Sequence, residues 1–182
     1  CVCAGTNAPW YSQGSGSFTD AIWSHNIAGP GALAALNSAS DVIIQSGHAV
    51  TLAGVQDVHD ISVEATASLG LGANTLNVFG NSVDIDGSLL GGTGNLNLEP
   101  TGAATLDGSG TLNLFDLTVN APNGLNCLAN APIRGTLSLV NGAFTATGAV
   151  SLVSNVNLTG RLGPVAATAS YVGDLTVNRY IP

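Results

Sequence analysis

Carboxylates and an imidazole fall in two places where their spacing has chemical meaning. In Asp84-Ile85-Asp86-Gly87 the two acids stand two residues apart. On a strand that spacing puts both on one face, with Val83 and Ile85 on the other. Asp107 opens a second Asp-Gly-Ser triplet, twenty-one positions after the one at Asp86. If the triplets stack on neighbouring strands, their acids stand about 5 Å apart. Like charges at that distance repel, and a bound Ca²⁺ or a raised pKa would relieve them. Asp84, Asp86 and Asp107 are therefore the candidate calcium ligands, and no other cofactor is expected. The competing meaning is an ordinary Asp-Gly turn with solvated carboxylates. The second place is Gln56-Asp57-Val58-His59-Asp60. Two acids and a histidine have the donor types of a metal ligand set or an acid–base pair. Nothing else in the chain completes such a site, so a polar bend between strands is the favoured reading.

The cysteines are Cys1, Cys3 and Cys127. They allow one intramolecular disulfide, from Cys1 or Cys3 to Cys127, and leave an odd thiol for pairing between molecules. Cys1-x-Cys3 lacks the second ligand pair that a zinc site needs. An N-terminal cysteine is also what lipoprotein processing leaves, so lipid attachment at Cys1 stays open. A first residue other than Met is read as a processed N-terminus or a fragment.

Familiar catalytic patterns are missing. The sequence has no G-x-S-x-G, no H-E-x-x-H and no phosphate loop. Lysine is absent and the three arginines, Arg134, Arg161 and Arg179, are scattered. Glu64 and Glu99 are too far apart in sequence to be named a glycosidase pair. The expectation is a non-catalytic protein.

What must position these residues follows from composition. Hydrophobic residues make up 45%, charged residues 8%, glycine fills 24 positions and the net charge is −8. So apolar and weakly charged a chain folds rather than staying disordered. Its polar surface must come from Asn, Ser and Thr, which suit strands and turns better than helices. The negative charge makes nucleic acid and anionic membranes poor partners. No apolar run is long enough to span a bilayer as a helix.

Internal repetition narrows the all-β class. Thr75-Leu76-Asn77-Val78 returns twenty positions later as Asn95-Leu96-Asn97-Leu98, and Asp116-Leu117-Thr118-Val119 as Thr136-Leu137-Ser138-Leu139. Thr111-Leu112-Asn113-Leu114 and Ser151-Leu152-Val153 fall between such units and read as further strands of the same coils. An interval near 20 residues fits one turn of a parallel β-solenoid (β-helix). Alternation then puts Leu76, Val78, Leu96 and Leu98 inside and stacks Asn77 on Asn97 outside. Gly80, Gly87, Gly91, Gly92, Gly94, Gly108 and Gly110 fall at the corners. An antiparallel β-sandwich is the alternative, although it predicts no fixed interval. Residues 160–172 fit no coil well. Residues 1–39 read as an N-terminal arm and cap, with Trp23 as a lid and a helical turn over Ala32 to Leu36. Residues 40–182 read as the repeat domain.

Ile22-Trp23-Ser24 leads into Ser40-Asp41-Val42-Ile43-Ile44-Gln45-Ser46-Gly47-His48-Ala49-Val50-Thr51-Leu52, and Gly173-Asp174-Leu175-Thr176-Val177-Asn178-Arg179-Tyr180-Ile181-Pro182 closes the sequence. This ordered pair resembles the opening and closing elements of β-repeats in large secreted surface proteins of the Bacteroidetes group. The resemblance implies export by the type IX route and a cell-surface role in adhesion or architecture, with no catalytic residues. Relatives of that kind continue beyond the closing element. The last segment reads as a strand with Leu175 and Val177 inward, and nothing in this sequence follows to cover it. Asp174, Leu175, Val177, Tyr180 and Ile181 are therefore the candidate assembly interface. The expected partner is a second copy, docked head to tail into a filament; a stalk is the other form. The alternative is a module binding glycans or neighbouring cell surfaces without catalysis.

Overall fold

A computed structural model of the chain describes residues 8–181. Within them the chain winds as an all-β parallel solenoid of about seven turns, with coils of ~21 residues and no helix. Each full coil has three sides. The first, partial coil holds β1 (Trp10–Ser12) and β2 (Gly16–Ser17), followed by the short β3 (Trp23–Ser24). The next coils are β4 (Val42–Ile44), β5 (Ala49–Thr51), β6 (Gln56–Val58), then β7 (Ile61–Val63), β8 (Ser68–Gly70), β9 (Thr75–Val78). They continue as β10 (Ser82–Ile85), β11 (Ser88–Leu90), β12 (Asn95–Leu98), then β13 (Ala104–Asp107), β14 (Thr111–Asn113), β15 (Asp116–Asn120). After β16 (Leu125–Cys127) and β17 (Ala131–Ile133), the long β18 (Thr136–Val153) runs through three successive sides. β19 (Arg161–Val165) and β20 (Ala169–Asn178) finish the stack.

The register is set by what points inward. Leu96 lies between Leu76 and Leu117, and Leu117 in turn pairs Leu137, all in parallel strands. Leu76, Val78, Leu96, Leu98, Leu117 and Leu137 are fully buried. A side chain of this size removed from water contributes about 1.5–3 kcal/mol, so a coil shifted by one residue would forfeit its whole inward set. The outward residues stack as well: the Asn97 amide donates to Asn77 Oδ1 at 3.1 Å, and the Asn77 amide donates to Asp57 Oδ1 at 2.7 Å. The antiparallel sandwich is thereby excluded. Apart from the β1–β3 pair and the Trp23–Ala32 bridge, the ladder is parallel.

Three expectations need correction. The two Asp-Gly-Ser triplets do not stack on each other. Asp107 pairs Asp84, and Ser88 pairs Thr111, each twenty-three residues apart. Coil length varies, and the buried Val83–Leu106 pair fixes the register rather than the look-alike turn. Ala32 to Leu36 forms no helical turn; Ala32 instead bridges Trp23 in antiparallel sense. Residues 160–172 do belong to the stack, as β19 over the start of β18 and β20 over its middle, displaced by the longer connection before Arg161.

The N-terminal end is closed. β1 and β2 already stack in parallel on β4 and β5, so coiling starts ahead of Ser40. Trp23 is fully buried over this coil, packs against Phe18 with ring centroids 5.1 Å apart, and donates its indole N–H to the Phe18 carbonyl at 2.9 Å. An aromatic lid of this kind covers apolar area while keeping its polar atom satisfied.

Candidate functional site

At the other end, no strand lies over the last coil among the described residues. β20 pairs on one edge with β18, and among the described residues its other edge has no strand partner. Its inward row continues the core: Tyr171 sits over Phe144, Leu175 over Val150 and Val177 over Leu152. Phe144, Val150 and Leu152 are buried, whereas Val177 is 51% exposed and Leu175 half-buried. Leu162 and Val165 of β19, over Leu137 and Leu139, are likewise about two-fifths exposed (40% and 44%). Beside them opens a cavity of about 820 Å³ whose lining includes Leu152, Leu162, Val177, Arg161, Arg179 and Tyr180.

Of the residues expected at an assembly surface, Val177 and Tyr180 line this cavity, and Leu175 lies in the same inward row. Asp174 holds a corner, its carbonyl accepting the Tyr171 hydroxyl at 2.9 Å, and Ile181 is 85% exposed. Sequence reasoning missed Leu162, Val165, Arg161 and Arg179, because the coil that brings them there was not recognised. The charge distribution offered a signal. Ten of the eleven carboxylates precede residue 121 and all three arginines follow it. The open end is thus the cationic end of an otherwise acidic rod.

The acids concentrate on the outer face of the first side. Asp84 and Asp107 are register partners there, as the stacked-carboxylate argument requires, but with Asp84 in the place expected of Asp86. Burial, then the charges of Asp86 and Asp107, pushes the Asp84 carboxyl up from its ordinary range. Asp86 is committed elsewhere: Oδ1 accepts the backbone N–H of Ser109 at 2.9 Å and its hydroxyl at 2.8 Å, which lowers its pKa.

The histidine cluster assembles differently from the way its sequence suggests. Asp57 turns to Asn77 on the third side. His59 Nδ1 lies 2.7 Å from Asp41 Oδ1 and 3.5 Å from Asp60 Oδ2. Val42 pairs Ile61, so Asp41 and Asp60 occupy equivalent corners one coil apart. Asp41 precedes Asp60 by nineteen residues, one coil length, which is the spacing that would have revealed it. A groove of about 280 Å³ runs alongside, lined in part by Asp41, Asp60, Ser62, Ser82 and Asp84.

Cys127 is a free thiol pointing inward between coils, fully buried, with Sγ–H directed at the Ala129 carbonyl at 3.5 Å. Burial pushes its pKa up to about 11, which favours the thiol over the nucleophilic thiolate in the folded chain. No disulfide occurs among the described residues, and Cys1 and Cys3 lie outside them. Glu64 accepts from the Ser46 N–H and hydroxyl, and Glu99 faces the Asn97 amide, so each has a local structural partner. Among the described residues no helix is long and apolar enough to cross a membrane.

Comparison with protein-family models, with curated proteins and with solved structures finds no match to this chain.

Proposed function

We propose that this chain is an extracellular structural and adhesive module of a cell surface, a rigid β-solenoid that self-assembles head to tail. The observation that carries the reading is the inequality of its two ends. One is covered by Trp23, and the other presents an apolar inward row beside a strand edge that has no partner among the described residues. Edges of that kind invite pairing with another chain. Charge favours the head of a second copy as occupant, since Arg161 and Arg179 flank the open end while the N-terminal coils are acidic. The head also offers an apolar groove of about 380 Å³ lined by Phe18, Leu33, Ala34, Leu36 and their neighbours. A heterologous contact of this type does not close on itself and builds a rod. Surface location and adhesion rest on the resemblance to secreted β-repeat proteins. A glycan-binding module is the second reading, favoured only by Tyr180 in the end cavity.

Light scattering across a concentration series tests the contact. The wild-type chain is expected to grow in mass with concentration and to shrink again in high salt, as screened charges require. Val177→Asp places a charge in the half-exposed row over Leu152 and is expected to hold the protein monomeric, with circular dichroism establishing that the coils stay folded. A wild-type chain that stays monomeric at every concentration and salt overturns the reading.

A further inference from the structure

We infer that Asp41, His59 and Asp60 form a binding site for a divalent transition-metal ion, independent of how the ends of the rod behave. One ligand atom from each of the three residues lies within 4.8 Å of the other two, and all three residues are half-buried. The fold forces this convergence. His59 donates its backbone N–H to the Ser40 carbonyl at 2.8 Å, and Val42 donates to the Asp60 carbonyl at 2.9 Å. Those two bonds lock the corner of one coil onto the corner of the next, placing one carboxylate above the other with the imidazole beside them. Two stacked carboxylates repel unless something positive lies between them. The first 120 residues contain no lysine or arginine to do so. The Nδ1 atom faces both acids, so an ion between them would meet all three ligand atoms.

Two further features fit an ion. Asp60 Oδ1 accepts the Ser82 N–H at 2.8 Å, leaving Oδ2 as the oxygen nearer His59. Second-partner bonds of that type orient a metal-ligating carboxylate. Position 80 is glycine: a Cβ there would lie 2.0 Å from Asp60 Oδ1, so the absent side chain makes the space the carboxylate occupies. The groove beside the cluster leaves room for water to complete the coordination. One imidazole nitrogen with two carboxylate oxygens selects a borderline ion such as Zn²⁺ over Ca²⁺, which prefers an all-oxygen shell.

The test is titration calorimetry with Zn²⁺ alone on the full chain, its thiols alkylated so that Cys1 and Cys3 cannot take the ion. Saturable binding of one equivalent is expected. His59→Gln and Asp41→Asn should each weaken it at least ~10- to 100-fold, the loss usual even for the partners that orient a ligand. His25→Gln should leave it unchanged. Circular dichroism establishes that each variant is folded, and zinc should raise the melting temperature of the wild type but not of His59→Gln. Absence of saturable binding, or binding that survives His59→Gln, overturns the site. Neither result bears on self-association, which is measured without metal.

Discussion

At the residue scale, a solenoid converts sequence spacing into charge contact. Asp84 and Asp107 are twenty-three residues apart in the chain and neighbours in space. The folded pKa of Asp84 lies above its ordinary value of 3.8, so the folded state favours the protonated carboxyl. Ionised Asp84 therefore costs stability, fully so above the raised folded pKa, and the cost disappears as pH falls below the ordinary value. Asp86 has the opposite sign. Its lowered pKa gives stability that is present above the ordinary range and is lost as pH falls through the folded value. Melting curves should show Asp84→Asn stabilised and Asp86→Asn destabilised at neutral pH, with both differences shrinking towards strong acid. Equal shifts of one sign for the two variants would contradict this assignment.

At the scale of the element, the inward alternation was legible and the corners were less so. Leu76 over Leu96 and Leu117 over Leu137 follow from the twenty-residue interval, because apolar burial sets the register of every coil. The Asp-Gly-Ser match at twenty-one misled, since turn residues are repeated for local reasons and carry no burial. Asp41 was missed for a related reason: its partners His59 and Asp60 are near only once the nineteen-residue coil is known. The helical turn expected over Ala32 to Leu36 failed because Ala32 pairs with Trp23 in the cap, a contact that local propensity does not encode. Corner glycines were read correctly, and Gly108 shows why. Its φ is +118°, and a Cβ there would lie 2.2 Å from the Ile85 carbonyl of the coil below. Gly47 has φ +80° with nothing near its missing side chain. Gly47→Ala should cost only the left-handed backbone penalty, about 1–2 kcal/mol. Gly108→Ala should cost more, since the coil must also move. Denaturant unfolding that ranks the two equally would show that coil-to-coil contact is looser than described.

For the whole molecule, the feature that matters is polarity. A solenoid has two ends by construction, and most of its interior is satisfied by its own neighbours. Among the described residues the ends differ in three ways at once: covered against uncovered, acidic against cationic, and antiparallel cap against parallel edge. The inward placement of Leu175 and Val177 was legible in the last segment, whereas the charge difference between the ends was not read although the sequence carries it. Leu162 and Val165 needed the placement of β19, which the irregular spacing after Val153 hid. Head-to-tail docking is the central functional claim, and energy transfer between labelled copies tests its polarity most directly. One batch would carry a donor at Asn157→Cys beside the open end, and a second an acceptor at Ala28→Cys on the cap, both with Cys1 and Cys3 replaced by serine. Mixed at associating concentration, the two batches should show strong transfer, while donor and acceptor both placed at residue 157 should show far less. Transfer confined to the pair labelled at residue 157, or none in either mixture, would contradict head-to-tail assembly.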